Sequence, residues 1–319
     1  MLGIIGVGYW GKNIMRNLSE LGALRAACDS DPGVIADKRK RYPDVYYTAD
    51  PADILDDPSI KAVLIATPAA THYELVKRAL LAGKDVLVEK PLALTLGEGS
   101  ELVNIAEKEN KILMIGHILQ YHPAVIKMKE LVSAGGLGRI RYIYSNRLNI
   151  GKLRIEENVL WSFAPHDISL ILMLVGEEPA GVSAFGGSYL SRGIYDTTLT
   201  TMDFESGVKA HIFVSWLHPY KEQRLVVVGS EAMACFDALG EDRIFVYPHT
   251  VDWIEGKIPV AQKAEKRVID VEKKEALREE IKHFINCVEK RDIPKTDGRE
   301  GLRVLKVLEA AEKTLREKI

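Results

Sequence analysis

The first third of the chain alternates short apolar runs with amphipathic stretches. Residues 2–5, 24–27, 45–47, 62–66, 85–88 and 112–115 read as short buried strands. They lack the apolar–polar alternation of a sheet with one wet face, which suits a parallel sheet covered on both sides. Between them, apolar positions recur at helical spacing and predict helices over 12–21, 34–42, 73–82 and 99–109. Gly83 follows the third of these at the C-cap position. Repeated strand–helix–strand predicts a doubly wound α/β domain.

From about Tyr121 the pattern changes. A helix is expected over 124–133, ending in Gly135-Gly136, then a strand over 140–146 and a helix over 166–175. Runs rich in Val, Ile, Thr and Phe follow at 182–185, 197–204, 208–215, 224–228, 233–236 and 244–247, with Ser206-Gly207 as a hairpin turn between two of them. Consecutive strands without intervening helices predict an open, mostly antiparallel sheet in an α+β domain. Two helices, 274–289 and 299–318, close the chain. The expected domains are 1–119 and 120–319, joined near residues 117–123.

Length supports two domains, since 319 residues exceed the roughly 100–200 of one. A hydrophobic share of 47% and a charged share of 28% describe an ordinary globular chain. A net charge of −2 without a long basic run argues against nucleic acid or an anionic membrane as partner. Cys28, Cys235 and Cys287 stand far apart with no CxxC pair, which speaks against a disulfide framework and a structural zinc site. The chain enters an apolar strand at once and holds no apolar run near the roughly 18 residues of a membrane helix. A reduced, cytoplasmic setting is the expectation.

The chemistry starts at Gly6-Val7-Gly8-Tyr9-Trp10-Gly11, a GxGxxG motif placed after the first strand and before the first helix. The first glycine allows a tight turn, the second a close approach of backbone to a pyrophosphate, and the third close helix–strand packing. This is the phosphate-binding turn of a Rossmann domain. An acid is expected at the end of the second strand, and Asp29 stands there, followed by Ser30. Its carboxylate can accept both adenosine ribose hydroxyls and repels a 2′-phosphate, which favours NAD. The alternative is a helix-capping acid before Asp31-Pro32. Thr67-Pro68 and His72 follow the fourth strand, on the edge where an open parallel sheet binds ligands. His72 can equally cap a helix or lie on the surface. Glu89-Lys90-Pro91 closes the fifth strand on the same edge. Pro91 disfavours a helical Lys90, and a lysine held there can donate to a substrate hydroxyl, although most lysines are simply solvated.

Gly6 to Gly11, Asp29 and Glu89-Lys90-Pro91 together resemble the glucose–fructose oxidoreductase, inositol dehydrogenase and MocA family. The resemblance covers essentially the whole chain and includes Pro294-Lys295-Thr296-Asp297-Gly298 before the last helix. It implies a Rossmann domain followed by an open-sheet domain, NAD as cofactor, and Lys90 as a substrate-facing catalytic residue. The family's second motif is Asp-x-x-x-His. Here His166 fills the histidine position and Ser162 stands where the aspartate belongs, so a relay through that aspartate is in doubt. His166 is suited to proton transfer, or is alternatively a core histidine.

The runs from His117 to Pro123, Ser145 to Asn149 and Asn158 to Asp167 resemble the WlbA-type branch of this family. That branch implies oxidation of the 3-hydroxyl of UDP-N-acetylglucosamine or its uronic acid, with 2-oxoglutarate as a possible hydride acceptor. Gln120, Tyr121, Arg147 and Asn149 are the candidate substrate contacts, with Arg147 suited to a carboxylate or phosphate; each can instead be structural. The family often forms dimers or tetramers, and the broad sheet offers a face for pairing. Competing readings are a dehydrogenase of free sugars or inositols and a non-catalytic NAD-binding regulator.

Overall fold

The computed structural model describes residues 1–317 except Lys152, Glu156, Glu241 and Asp242. The chain forms two compact units, Met1–Ile118 with Glu275–Leu305, and Leu119–Lys274 with the chain from Lys306 on.

In the first unit the elements run β1 (Leu2–Ile5), α1 (Gly11–Glu20), β2 (Leu24–Cys28), α2 (Pro32–Arg41), β3 (Tyr46–Thr48), α3 (Ala52–Leu55), β4 (Ala62–Ile65), α4 (His72–Leu81), β5 (Asp85–Glu89), α5 (Leu96–Lys108) and β6 (Leu113–Gly116). The strands lie in the order β3-β2-β1-β4-β5-β6, and every pairing is parallel. β1, β4 and β6 are buried along their whole length, as the continuous apolar runs require of strands covered on both faces. The order reverses between β1 and β4, so a crevice opens at the carboxyl ends of those strands.

The second unit begins with α6 (Pro123–Ser133), β7 (Ile140–Leu148) and α7 (Val159–Val175), followed by β8 (Pro179–Gly187), β9 (Thr197–Phe204), β10 (Lys209–Ser215), β11 (Glu222–Gly229), β12 (Met233–Asp237), β13 (Ile244–Tyr247), β14 (Thr250–Ile254), β15 (Ile258–Gln262) and β16 (Arg267–Val268). Eight strands form one sheet in the order β16-β13-β12-β11-β7-β10-β9-β8. It is antiparallel except where β7 pairs with β10, as expected of a mostly antiparallel sheet. α7 packs on β7, β9 and β10. Ile143, Ser145 and Arg147 point beneath it and are buried. Tyr142 and Tyr144, on the other face, stack on each other and on His211. β14 and β15 make a separate hairpin that the sequence pattern did not suggest.

Two expectations are corrected. The closing helices are α8 (Ala276–Lys290) and α9 (Gly298–Arg316), and residues 275–305 belong to the first unit, not to a 120–319 domain. Ile115 N–H donates to the Thr296 carbonyl, and Thr296 Oγ1 donates back to the Ile115 carbonyl, 2.8 Å each. Arg291 reaches Asp85 at 2.6 Å, and His117 pairs with Glu300. These bonds finish the β6 edge of the sheet, and only long-range pairing reveals them. The expected end of the last helix at Lys318 lies outside the described residues.

The second correction concerns α7. It starts at Val159, seven residues before the expected 166, with Asn158 accepting the Trp161 N–H as N-cap. Pro165 sits inside the helix. The proline forfeits one backbone hydrogen bond, which burial of the helix along most of its length outweighs. His166 is therefore an interior helical residue.

Candidate active site

The backbone leaves β1 at Gly6 with φ +89°, a conformation other residues adopt only under strain. A Cβ on Gly6 would lie 2.8 Å from the Ala66 backbone, and one on Gly11 1.9 Å from the Gly6 carbonyl oxygen. Around Gly8 nothing lies within 4 Å of such a Cβ. The loop is thus closed by two glycines and bare at the third, the shape a pyrophosphate needs. α1 starts without a side-chain cap and without an acid in its first turn, leaving its positive end to an anion. Tyr9 is exposed, with Lys12 Nζ 5.4 Å from its ring centre.

Asp29 closes β2. Its Oδ2 accepts the Val7 N–H at 2.8 Å and its Oδ1 the Asp31 N–H at 3.0 Å. Each oxygen keeps a lone pair for a further donor, so the carboxylate can hold the loop and two ribose hydroxyls together. The capping role falls to Asp31, which accepts the Gly33 and Val34 N–H groups of α2. Ser30 is exposed beside it. Cys28, directly behind, is buried, and burial pushes its thiol up to about 11, which keeps it protonated and inert. These residues fit a dinucleotide. Asp29→Ala is expected to raise KM for NAD by about 10- to 100-fold, the loss of charge-assisted bonds worth about 1.5–3 kcal/mol, as initial rates would show.

On the β5 side, Glu89 Oε1 accepts the Trp10 indole N–H at 2.5 Å. Glu89 Oε2 lies 3.0 Å from where a Cβ on Gly116 would be, so only glycine leaves room for this carboxyl. Desolvation raises the Glu89 pKa, and the Trp10 bond and the Lys90 charge pull it back. Trp10 and Glu89, both expected at the cofactor, are thus bonded to each other and join the glycine loop to the lysine turn. Lys90 is half-buried, and the Lys90–Pro91 peptide is cis. Thr67 is half-buried and Pro68 exposed; the Thr71 hydroxyl donates to Thr67 Oγ1 at 2.7 Å. His72, expected at the cofactor or as a cap, is 1% exposed, and both ring nitrogens meet backbone carbonyls, of Pro91 and Thr67.

In the second unit α7 carries Ser162, buried, and His166, half-buried, one turn apart. Phe163 on the same helix packs edge-on against the fully buried Trp216. Arg147, expected as a substrate cation, is engaged by an acid of α7. Its Nε and Nη2 donate to the two carboxylate oxygens of Asp167 at 2.7 and 3.0 Å, and Ser145 Oγ donates to the same carboxylate at 2.7 Å. Gln120 is likewise occupied, its Nε2 donating to Ser169 Oγ at 2.7 Å, and Tyr121 is 3% exposed. Asn149 is half-buried just past β7, its backbone N–H bonded to Ser215 O. Of the four substrate candidates, Arg147 and Gln120 are bonded to residues of α7, Tyr121 is buried, and Asn149 is half-buried. Asp167 was missed, although an acid beside a candidate histidine, with an arginine two residues from a serine on a strand, is a usable sign of a buried pair.

Among the described residues no cluster of His, Cys, Asp and Glu could hold a metal, and no helix is long and apolar enough to cross a membrane.

Comparison with known proteins agrees with this geometry. Residues 1–117 match the oxidoreductase family with an NAD-binding Rossmann fold, and residues 125–235 match the GFO/IDH/MocA C-terminal domain. The chain is 28% identical to UDP-N-acetylglucosamine 3-dehydrogenase of Acidithiobacillus ferrooxidans, over 95% of this chain and 93% of that one. A crystal structure of that enzyme superposes with a TM-score of 0.87 at 26% identity, covering 99% of this chain and 97% of the other. Identity to myo-inositol 2-dehydrogenase of Thermotoga maritima is 26%, over 99% and 96% of the two chains. With its glycine loop, Asp29 and the Glu89-Lys90-Pro91 turn in place, the chain belongs to the glucose–fructose oxidoreductase, inositol dehydrogenase and MocA family and is an NAD-dependent dehydrogenase.

Proposed function

We propose that this dehydrogenase oxidises the 3-hydroxyl of a UDP-N-acetylhexosamine to a ketone, with UDP-N-acetylglucosamine favoured over its uronic acid. The likeness to UDP-N-acetylglucosamine 3-dehydrogenase along nearly the whole of both chains carries this reading. Ser162 in place of an aspartate separates the chain from the family's usual histidine motif. The engagement of Arg147 by Asp167 removes the cation best suited to a C6 carboxylate, and so favours a hydroxymethyl group there.

Bound NAD supplies the hydride acceptor. The chain's own residues bind, orient and move the proton. Lys90 and His166 are the two groups assigned to the substrate hydroxyl: one removes its proton, and the other hydrogen-bonds the oxygen and stabilises the charge it acquires. Asp29 and the glycine loop hold the dinucleotide. Asn149 remains available as a polar substrate contact.

The test is to follow nicotinamide reduction with UDP-N-acetylglucosamine, its uronic acid, free N-acetylglucosamine and myo-inositol, each with and without 2-oxoglutarate, and to look by mass for loss of two hydrogens. Oxidation confined to UDP-sugars supports the reading. Turnover of inositol alone, which the Thermotoga likeness makes the competing outcome, overturns it. We also assign the open sheet face around Tyr142, Tyr144 and His211 to pairing with a second copy, because stacked aromatic side chains on one uncovered face mark an interaction surface. Sedimentation above the monomer mass, abolished by Tyr144→Glu, is the expected result.

A further inference from the structure

His72 is the first residue of α4 and is 1% exposed. Its Nδ1 lies 2.7 Å from the Pro91 carbonyl oxygen and its Nε2 3.0 Å from the Thr67 carbonyl oxygen. Both partners can only accept. A neutral imidazole carries one N–H and one lone pair, so it satisfies one of these oxygens and turns a lone pair toward the other. An imidazolium carries two N–H groups and satisfies both. Desolvation and the positive end of α4 oppose the charge. Two short charge-assisted bonds to carbonyl dipoles favour it, and a lone-pair contact at either distance would be repulsive.

The two carbonyls are well chosen. Thr67 belongs to the loop that leaves β4 at the carboxyl edge of the sheet, and Pro91 directly follows Lys90. We propose that His72 is held as an imidazolium and clamps the turn carrying Lys90 to the end of β4. It is a positioning residue: it touches neither substrate nor cofactor and fixes the direction from which Lys90 acts. The inference rests on Lys90 as the residue that meets the substrate, but not on which sugar is oxidised.

The full-length protein labelled with ¹⁵N-histidine, studied by NMR at pH 8, tests the charge directly. This pH lies above the ordinary histidine value of about 6.5, so exposed histidines are neutral. His72, assigned through its ring-to-backbone correlations, is expected to show two protonated nitrogens; a single neutral tautomer there would overturn the clamp. His72→Gln keeps one amide donor and can reach only one of the two carbonyls. It is expected to lower kcat about 100-fold, the cost of roughly 1 Å of misplacement, with the Kd for NAD within about threefold. Unchanged kcat in a folded variant would equally overturn the positioning role. The NMR result stands whether or not the variant folds. If UDP-sugars fail and inositol is turned over, the substrate reading falls and the clamp remains.

Discussion

Lys90→Met is expected to lower kcat about 10³-fold on the preferred substrate, within the usual range for loss of a positioned acid–base group. The methylene stem stays, so packing around the half-buried side chain changes little, while one of the two groups assigned to the substrate hydroxyl is gone. The glycine loop and Asp29 are untouched, and the Kd for NAD should stay within about threefold by calorimetry. Loss of NAD binding instead would make Lys90 a cofactor residue and leave His166 to carry the proton chemistry. His166→Ala distinguishes the two further. If His166 is the base, its loss steepens the dependence of kcat on pH, because the remaining amine must be deprotonated first.

The second large effect is structural. Arg147→Ala leaves the Asp167 carboxylate, 2% exposed, with Ser145 as its remaining side-chain partner and no compensating charge from Arg147. Breaking a buried pair in this way costs about 3–5 kcal/mol, which for a unit of this size lowers the melting temperature by about 10 °C. Arg147→Ala with Asp167→Ala should recover part of that loss, because the uncompensated charge is removed together with its partner. Differential scanning calorimetry of the three variants checks it. A single variant that melts like the wild type would show that Arg147 is free after all and return it to the list of substrate residues. The distinction matters because Asp167 follows His166 directly on α7, so the pair also sets the rotation of the helix that presents the histidine.

The parallel sheet and its phosphate loop were readable from the chain because both are local. Apolar runs, helical spacing and three glycines lie within a few residues of one another, and each constrains the backbone by itself. The second sheet was readable as mostly antiparallel for the same reason, while the β14–β15 hairpin was not. Val251, Trp253, Ile254 and Ile258 are all exposed, so no burial pattern marks that hairpin. The site divides along the same line. Asp29 and the Glu89-Lys90-Pro91 turn are set by strand ends and were placed from the sequence. Arg147, Gln120 and His72 were read as ligand contacts because they are polar and lie near the right segments. Each instead satisfies a buried partner 20, 49 or 19 residues away, and a lone sequence cannot show which polar group another consumes.

The placement of residues 275–305 bears on how the molecule is made. The six strands of the dinucleotide unit lie between residues 2 and 116, yet Arg291, Thr296 and Glu300, which finish its sheet edge, are translated long after them. Until they emerge, the Ile115 N–H lacks the Thr296 carbonyl, Asp85 lacks Arg291, and the Gly99 face of α5 lacks Leu302 and Leu305. Domains generally fold as units from the N-terminus during synthesis, but here the first unit cannot be completed until residues 119–274 of the second have been translated. At about 5–20 residues per second, the nascent Rossmann sheet waits some ten seconds or more with one edge open, a period in which a chaperone that covers sheet edges would have something to hold.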